Sequence, residues 1–349
     1  MQQDELLFAF SGIAPKIGFQ KADEEPWFAH VGGNDYSQFQ QHGIFEGLPA
    51  AFRIYDRASL SPDFDDQFRL QDAYNSTVEG EAVRLPKILS PYKEQDGPSI
   101  GWLILERITG KPVLDMRTII SGSLTSKTNQ DKIRKVAEAY RATLVVMAEV
   151  AKYLFVEVKI KKQASAFDYF VAQFNRWNEM VKKYEPGMHA LNDNFRADII
   201  SGVLTSVGRY KPEMELFWNL FQSPGLRYGA DGHIYNTEGR FEIKPRGFGI
   251  ASWLWNIALY SWKKRKQRLF EDLDFCADIF CGKDRNLYYG CQVNFAERLY
   301  AGAEVDHFLN RSPFENPGKE GRITSREYAR AGKNLKFLLS ETVGYLPSL

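Results

Sequence analysis

The stretch over residues 228–249 constrains the fold of this chain more than any other segment. It reads as a polar loop, a short strand at 233–235, a turn at 236–239 and a second strand at 240–243. Asn, Glu and Gly in the turn suit a tight connection between antiparallel strands. An apolar, Trp-rich segment that begins at Ser252 then predicts a buried helix. The order predicts a β-hairpin set into a mainly helical domain.

Composition limits the classes of protein that this chain can belong to. With 349 residues, 44% of them hydrophobic, it can form one bilobal protein or two domains. A formal net charge of +1 gives no indication of a general nucleic-acid or membrane-surface role. No apolar run reaches the roughly 18 residues that a membrane span needs. These observations leave a small molecule, a nucleotide or a protein as the expected partner.

The cysteines and the N-terminal sequence predict a reducing, cytoplasmic location. Cys276, Cys281 and Cys291 are odd in number and clustered late in the chain, which is not the pattern of a disulfide framework. We expect buried thiols in helices. The first five residues, Met-Gln-Gln-Asp-Glu, lack the basic and apolar parts of a signal peptide.

The first third of the chain has the periodicity of strands, and most of the rest has that of helices. Strands are predicted at 27–31, 39–45, 50–55 and 100–106, and Phe52 and Ile54 share a face of the third one. Helices are predicted at 63–75, 167–184, 195–207, 212–221, 284–308 and 325–339, and in a long segment from Asp131. The aromatic stripes of these helices are expected to face a core.

Two motifs show a resemblance to a known family. Gly229-Ala230-Asp231, His233-Ile234-Tyr235, Ile243-Lys244 and Trp255-Asn256-Ile257-Ala258 follow one another around the predicted hairpin. This order resembles the His-Gly-Asp, Asn-Ile-Leu, hairpin, Ile-Asp and Trp-Asp-Leu-Ala order of the aminoglycoside phosphotransferase/choline kinase branch of the protein-kinase-like fold. A strand and Gly110 at 103–110 resemble the hinge of the same family. The chain resembles a divergent member.

The resemblance implies an α+β, bilobal fold. A small antiparallel sheet would form the N-lobe, residues 1–106, and helices with the hairpin would form the C-lobe, residues 107–349. In the N-lobe, Gly32 and Gly33 would approach the phosphates of ATP, because glycine has no Cβ in the way. Arg53 or Arg57 would be the cation on the third strand. Asp66 and Asp72 are the acidic candidates to pair with it.

The resemblance also assigns the hinge between the lobes. The backbone of Glu106 to Ile108 would face adenine, and Gly110 would let the chain turn into the helical lobe. Bound ATP and Mg²⁺ are the cofactors that the family implies. An ordinary strand and turn at this place is the alternative explanation of the same residues.

The catalytic positions allow two alignments. If the hairpin is the anchor, His233 takes the metal-binding asparagine position and Tyr228 falls where the base aspartate belongs. If the acid is the anchor, Asp231 is the base and Asn236 the metal ligand, five residues later as in the family. The first alignment keeps 236–239 as the turn, whereas the second breaks it.

Lys244 stands where the family has its second metal-binding aspartate. A lysine cannot ligate Mg²⁺ while charged, and a unit charge at 4 Å repels another by roughly 4 kcal/mol at an effective dielectric of 20. Asn256 likewise replaces the aspartate of Trp-Asp-Leu-Ala. Lys244 therefore argues against Mg²⁺ and ATP, and we expect it in the cleft, paired with Asp231.

Three hypotheses follow from this pattern. The first is a catalytically degenerate, pseudokinase-type protein that binds or regulates. The second is an active phosphotransferase that uses ATP to phosphorylate a hydroxyl of a small molecule. The third is an unrelated helical binding protein whose hairpin resembles the family by chance.

Overall fold

The computed structural model describes residues 3–28, 37–56, 64–94, 100–115, 119, 124–157, 165–181, 193–222, 225–237, 239–260 and 265–301. Four residues in the predicted turns and the predicted cation site, Gly32, Gly33, Arg57 and Glu238, lie outside these ranges. The prediction of a helix at 325–339 lies outside them as well.

Ten strands and eight α-helices are formed by the described residues. The strands are β1 Gln20–Lys21, β2 Trp27–Phe28, β3 Ser37–Phe45, β4 Leu48–Asp56, β5 Ile88–Glu94, β6 Ile100–Glu106, β7 Met214–Trp218, β8 Leu226–Tyr228, β9 Ile234–Asn236 and β10 Phe241–Pro245. The helices are α1 Gln3–Ile13, α2 Phe64–Thr77, α3 Lys127–Glu157, α4 Ala166–Val181, α5 Asp193–Tyr210, α6 Phe248–Tyr260, α7 Lys266–Cys281 and α8 Arg285–Ala301. A short 3₁₀ turn, Ala14–Ile17, follows α1.

One antiparallel sheet dominates the N-terminal part of the molecule. Its strand order is β1-β3-β4-β6-β5, and β2 also pairs with β3. Directly opposed residues share a face of an antiparallel sheet. Phe52 and Ile54 of β4 face outward and pack with Phe10 of α1 in one apolar cluster, as their alternation predicted. The helix covers this outer face, which keeps the apolar residues of the sheet out of water.

The other face of the sheet points toward the rest of the molecule. Tyr55, Leu103 and Leu105 on this inner face pack with Phe68 of α2. The same helix places Leu70 and Tyr74 in the main core, which the helical part forms. Helix α2 thereby connects the sheet to the helical lobe.

The helical lobe is built around a long central helix. On α3 the residues that recur at spacings of three and four in the sequence are buried, except for Leu144, which is half-buried: Ile133, Val136, Ala137, Tyr140 and Met147. All three cysteines are buried free thiols, as predicted. None of the helices among the described residues has the length and apolar character to cross a membrane.

One predicted helix is wrong, because residues 214–218 form β7. Leu216, Phe217 and Trp218 are consecutive and all buried. Bulky aromatic residues that are covered on both faces favour a strand in a sheet over a helix with one exposed side. The architecture is nonetheless the α+β, bilobal one that the sequence predicted, with a sheet that ends at Glu106 and a helical lobe after it.

Candidate functional site

The pairing of the strands around the predicted hairpin differs from the prediction. Strand β9 pairs with β8 across a turn at residues 229–233, with Tyr228 opposite Ile234 and Leu226 opposite Asn236. Strand β10 pairs instead with β7, from Phe241 opposite Trp218 to Pro245 opposite Met214. The predicted hairpin between 233–235 and 240–243 is therefore wrong. Local turn chemistry at 236–239 suggested it, but the buried strand β7 offers β10 a five-residue partner.

The β8–β9 hairpin lies against the connection that leaves the sheet. Tyr228 N donates to Lys111 O at 3.0 Å, and Val113 N donates to Leu226 O at 2.9 Å. A Cβ on Gly110 would lie 1.5 Å from Tyr228 O, so only glycine fits at this approach. The hairpin therefore packs directly against the connection that follows β6.

Asp231 and His233 occupy the hairpin turn and share one cation. Arg84, from the segment between α2 and β5, donates to Asp231 Oδ2 at 3.3 Å and to His233 Nε2 at 3.0 Å. Asp231 also accepts from the His233 backbone N–H and from the Tyr235 hydroxyl, both at 3.1 Å. Although burial would raise its pKa, these hydrogen bonds and the charge of Arg84 hold the pKa of Asp231 below its ordinary value.

Asn236 lies on β9 and does not form a turn. Its side chain is 1% exposed and donates to Leu220 O at 3.0 Å. Thr237 fixes the same loop, because its backbone N–H and hydroxyl both donate to Gly225 O. The amide of Asn236 thus holds the backbone of the loop between β7 and β8.

Lys244 pairs with Glu242, so the expected pair with Asp231 is wrong. Its ammonium lies 2.6 Å from Glu242 Oε2 and over the rings of Tyr169 and Phe248, at 5.2 and 4.9 Å from their centroids. Tyr169 belongs to α4 and Phe248 to α6, so Lys244 faces the helices and not the hairpin turn. Burial lowers the pKa of Lys244, and the Glu242 carboxylate opposes that effect.

Glu242 is the centre of this cluster. Its Oε1 accepts from Arg240 Nε at 2.7 Å and from Asn219 Nδ2 at 3.2 Å. Burial would raise the pKa of Glu242, but the charges of Lys244 and Arg240 keep it below the ordinary value. A carboxylate held by two cations and an amide, with its lone pairs used, serves the structure of β10.

Asn256, the other position that departs from the family, is buried in α6 at 2% exposure. Within the described residues its Oδ1 has no hydrogen-bond partner. An aspartate in that environment would carry an uncompensated buried charge, so the amide fits this core better than the family's acid does.

The predicted ligand-binding residues of the N-lobe lie on the inner face of the sheet and at the end of β6. Arg53 of β4 donates from Nε to Gln40 Oε1 at 2.8 Å. Glu106, at the end of β6, accepts from the Lys87 backbone N–H at 3.2 Å. Ile108 follows on the connection and is half-buried. Of the acidic candidates on α2, Asp66 lies 3.9 Å from Arg69, and Asp72 is exposed.

Sequence reasoning missed a polar network beside Arg53. Gln40, His42, Glu24 and Arg107 continue from it along the inner face toward the hinge. The available signal was the pair of polar residues two apart on β3, Gln40 and His42, which share one face of the strand.

No protein-family model and no curated protein sequence matches this chain. Solved structures do. A thermostable variant of the aminoglycoside phosphotransferase APH(4)-Ia, in a ternary complex with ADP and hygromycin B, matches with a TM-score of 0.57 and 11% identity over 95% of this chain and 97% of its own. The spectinomycin phosphotransferase APH(9)-Ia, in complex with ADP and spectinomycin, matches with a TM-score of 0.53 and 11% identity over 100% and 99%. The chain therefore has the kinase-like fold of aminoglycoside phosphotransferases.

Proposed function

We propose that this chain is a kinase-fold protein that binds a ligand and does not transfer phosphate. The observation that carries the proposal is the lack of carboxylates where the fold needs them. The segment from Trp218 to Thr237 contains one residue with a carboxylate side chain, Asp231. Phosphoryl transfer requires a carboxylate beside the attacking hydroxyl and others that hold Mg²⁺.

The pairing of β8 with β9 supports the proposal, and it moves the positions of the two acidic motifs to other residues. In the family order, His-Gly-Asp precedes the hairpin and Ile-Asp follows it. With β8 and β9 as the hairpin, the first motif falls near Trp218-Asn219-Leu220 and the second near Asn236-Thr237. Neither segment contains an acid. Lys244 is no evidence for the proposal, because it belongs to β10 and is paired with Glu242.

The candidate base does not suit catalysis either. Asp231 lies in the turn between β8 and β9, and not in the segment before β8 where the family has its base. Its oxygens accept three hydrogen bonds from the chain itself. The part of the chain that the structure describes offers no group of three His, Cys, Asp or Glu residues that could hold a metal ion. Asn236 donates to Leu220 O and His233 contacts the Arg84 guanidinium, which supports the proposal that neither holds Mg²⁺.

The ligand is proposed to lie between the sheet and the β8–β9 hairpin. Two structures of the same fold were solved with ADP and a second small molecule, hygromycin B in one and spectinomycin in the other. By analogy we propose a nucleotide or another small molecule for this cleft, with Arg53, Glu106 and Ile108 around it. The division into lobes at 1–106 and 107–349, a protein partner and a cytoplasmic location remain proposals on the same basis.

The test is ADP production from Mg·ATP with a broad panel of hydroxyl acceptors. We expect wild type and Asp231→Asn both to stay at the rate of the protein-free control, with a cooperative melting transition in each showing that both are folded. Turnover by the wild type that Asp231→Asn abolishes would reject the proposal and favour an active phosphotransferase.

A further inference from the structure

A directed chain of hydrogen bonds crosses the inner face of the sheet and ends on one carboxylate. Arg53 Nε donates to Gln40 Oε1 at 2.8 Å, and Gln40 Nε2 donates to His42 Nε2 at 2.8 Å. His42 Nδ1 donates to Glu24 Oε2 at 2.9 Å. Every donor in this chain points toward Glu24, so its far end is built to receive negative charge.

A second cation reaches the same carboxylate from the hinge. Arg107 directly follows β6, and its guanidinium donates to Glu24 Oε1 at 3.0 Å and to Oε2 at 3.1 Å. Strands β4 and β3 lie between β6 and the segment that contains Glu24. The Arg107 side chain must therefore pass beneath the strands at the level of His42 and Ala51, which are directly opposed. The Arg107 guanidinium and the His42 ring thus contact the same oxygen of Glu24.

Glu24 reaches this position from a bend in the edge of the sheet. It lies between β1 and β2, which pair with β3 on either side of the bend. The buried Gln41 holds the bend, because its Nε2 donates to Glu24 O at 3.1 Å. The backbone of Glu24 is fixed, but its side chain is 52% exposed. An exposed ion pair contributes little to stability, so the carboxylate can leave at small cost.

We propose that Arg107 and His42 form an anion subsite at the hinge side of the cleft, which Glu24 occupies as an internal substitute for a ligand. A small molecule with a carboxylate or phosphate group binds there by displacing the Glu24 side chain. This inference deepens the proposed binding function and rests on it. Charged side chains at the hinge favour a charged ligand over a flat, uncharged ring, which would need an apolar pocket.

The test compares two neighbouring substitutions that change charge equally. Glu24→Gln removes the internal competitor, whereas Glu25→Gln removes a charge from the next residue, which is exposed. Isothermal titration calorimetry without Mg²⁺ would use ADP, citrate and inorganic phosphate, with adenosine as the uncharged probe. Because an exposed ion pair is weak, we expect Glu24→Gln to bind at least one anion about three- to tenfold more tightly than wild type.

The expected pattern has three further parts. Glu25→Gln should bind like wild type, adenosine should gain nothing from Glu24→Gln, and adding Arg107→Gln to Glu24→Gln should remove the gain. ADP and citrate distinguish a phosphate ligand from a carboxylate ligand. Equal anion affinities for Glu24→Gln and Glu25→Gln, or no anion binding by Glu24→Gln, would overturn the inference. Because this experiment measures binding and the acceptor panel measures turnover, failure of the subsite and failure of the non-catalytic proposal are separate results.

Discussion

Two carboxylate clusters among the described residues each pair an acid with cations, and they differ in their surroundings. In the helical lobe, Glu242 and Lys244 are 24% and 11% exposed and lie among the rings of α4 and α6. Under the sheet, Glu24 and Arg107 are 52% and 29% exposed. Burial makes a broken pair costly, whereas an exposed pair exchanges its partners readily.

This difference separates charges that stabilise the fold from charges that can exchange partners with a ligand. A kinase-like enzyme would keep its exchangeable charges near the loop before the hairpin, where metal and phosphate meet. Here the acid and the cations beside that loop are bound to one another and to Asn219. The exchangeable charges lie at the hinge. The comparison supports the proposal that a ligand is recognised under the sheet, and it explains β10 as part of the core.

The largest expected effect concerns the buried cluster. Glu242→Ala leaves the ammonium of Lys244 without its carboxylate, and we expect the free energy of unfolding to fall by about 3 kcal/mol. Lys244→Met is the matched control. It leaves Glu242 with Arg240 and Asn219, so we expect a loss of only about 1 kcal/mol. Urea denaturation measures both, and equal losses would contradict the asymmetry.

A second buried acid makes stability depend on pH. Burial raises the pKa of Glu215, on β7, to about 7 from an ordinary value of 4.5. The folded state therefore holds the proton more tightly than the unfolded state, and the stabilisation is complete below pH 4.5 and lost as pH rises through 7. Glu215→Gln should remove this dependence.

Relative to Glu215→Gln, wild type should lose on the order of 1–3 kcal/mol between pH 4.5 and pH 7.5. Denaturation of both proteins at four pH values across this range measures the difference. A constant difference would show that Glu215 is ionised throughout, which would contradict its burial against Gly247 and Arg246.

The ion pair between Asp231 and Arg84 at the hairpin turn should have a smaller effect on the free energy of unfolding. Asp231 and Arg84 are 39% and 32% exposed, so Asp231→Asn should cost about 1 kcal/mol or less. Asp131→Asn is the control, because Asp131 pairs with Arg134 on the surface of α3 and should cost less still. A loss above about 2 kcal/mol would place Asp231 with the buried cluster instead.

The smallest effect on stability is expected at the hinge. Glu24→Gln should change the free energy of unfolding by less than about 1 kcal/mol, since both partners of Glu24 are in contact with water. The measurement is urea denaturation beside Glu25→Gln. If Glu24→Gln were as destabilising as Glu242→Ala, the two clusters would not differ as described.

Sequence alone could predict the lobes because their patterns are local. Alternation at Phe52 and Ile54 shows one face of β4, and the stripe on α3 has the helical period over several turns. The end of the sheet was predictable too, because the apolar run of β6 ends at Glu106 and glycine follows at 110.

The partners of strands and charges could not be predicted, because they depend on residues that are distant in sequence. The turn residues at 236–239 are typical of a hairpin, yet β10 pairs with β7, more than twenty residues earlier in the chain. Arg84 reaches Asp231, and Glu24 reaches Arg107, by the same kind of long-range contact. Only the fold brings such groups together.

The central claim, binding without metal-assisted transfer, is tested most directly by the affinity of the wild type for ATP with Mg²⁺ and with EDTA. Isothermal titration calorimetry should give dissociation constants that agree within about twofold, because the two motif positions, 218–220 and 236–237, contain no carboxylate that would hold the metal. ATP binding more than about tenfold tighter with Mg²⁺ than with EDTA would show a working metal site and contradict the account.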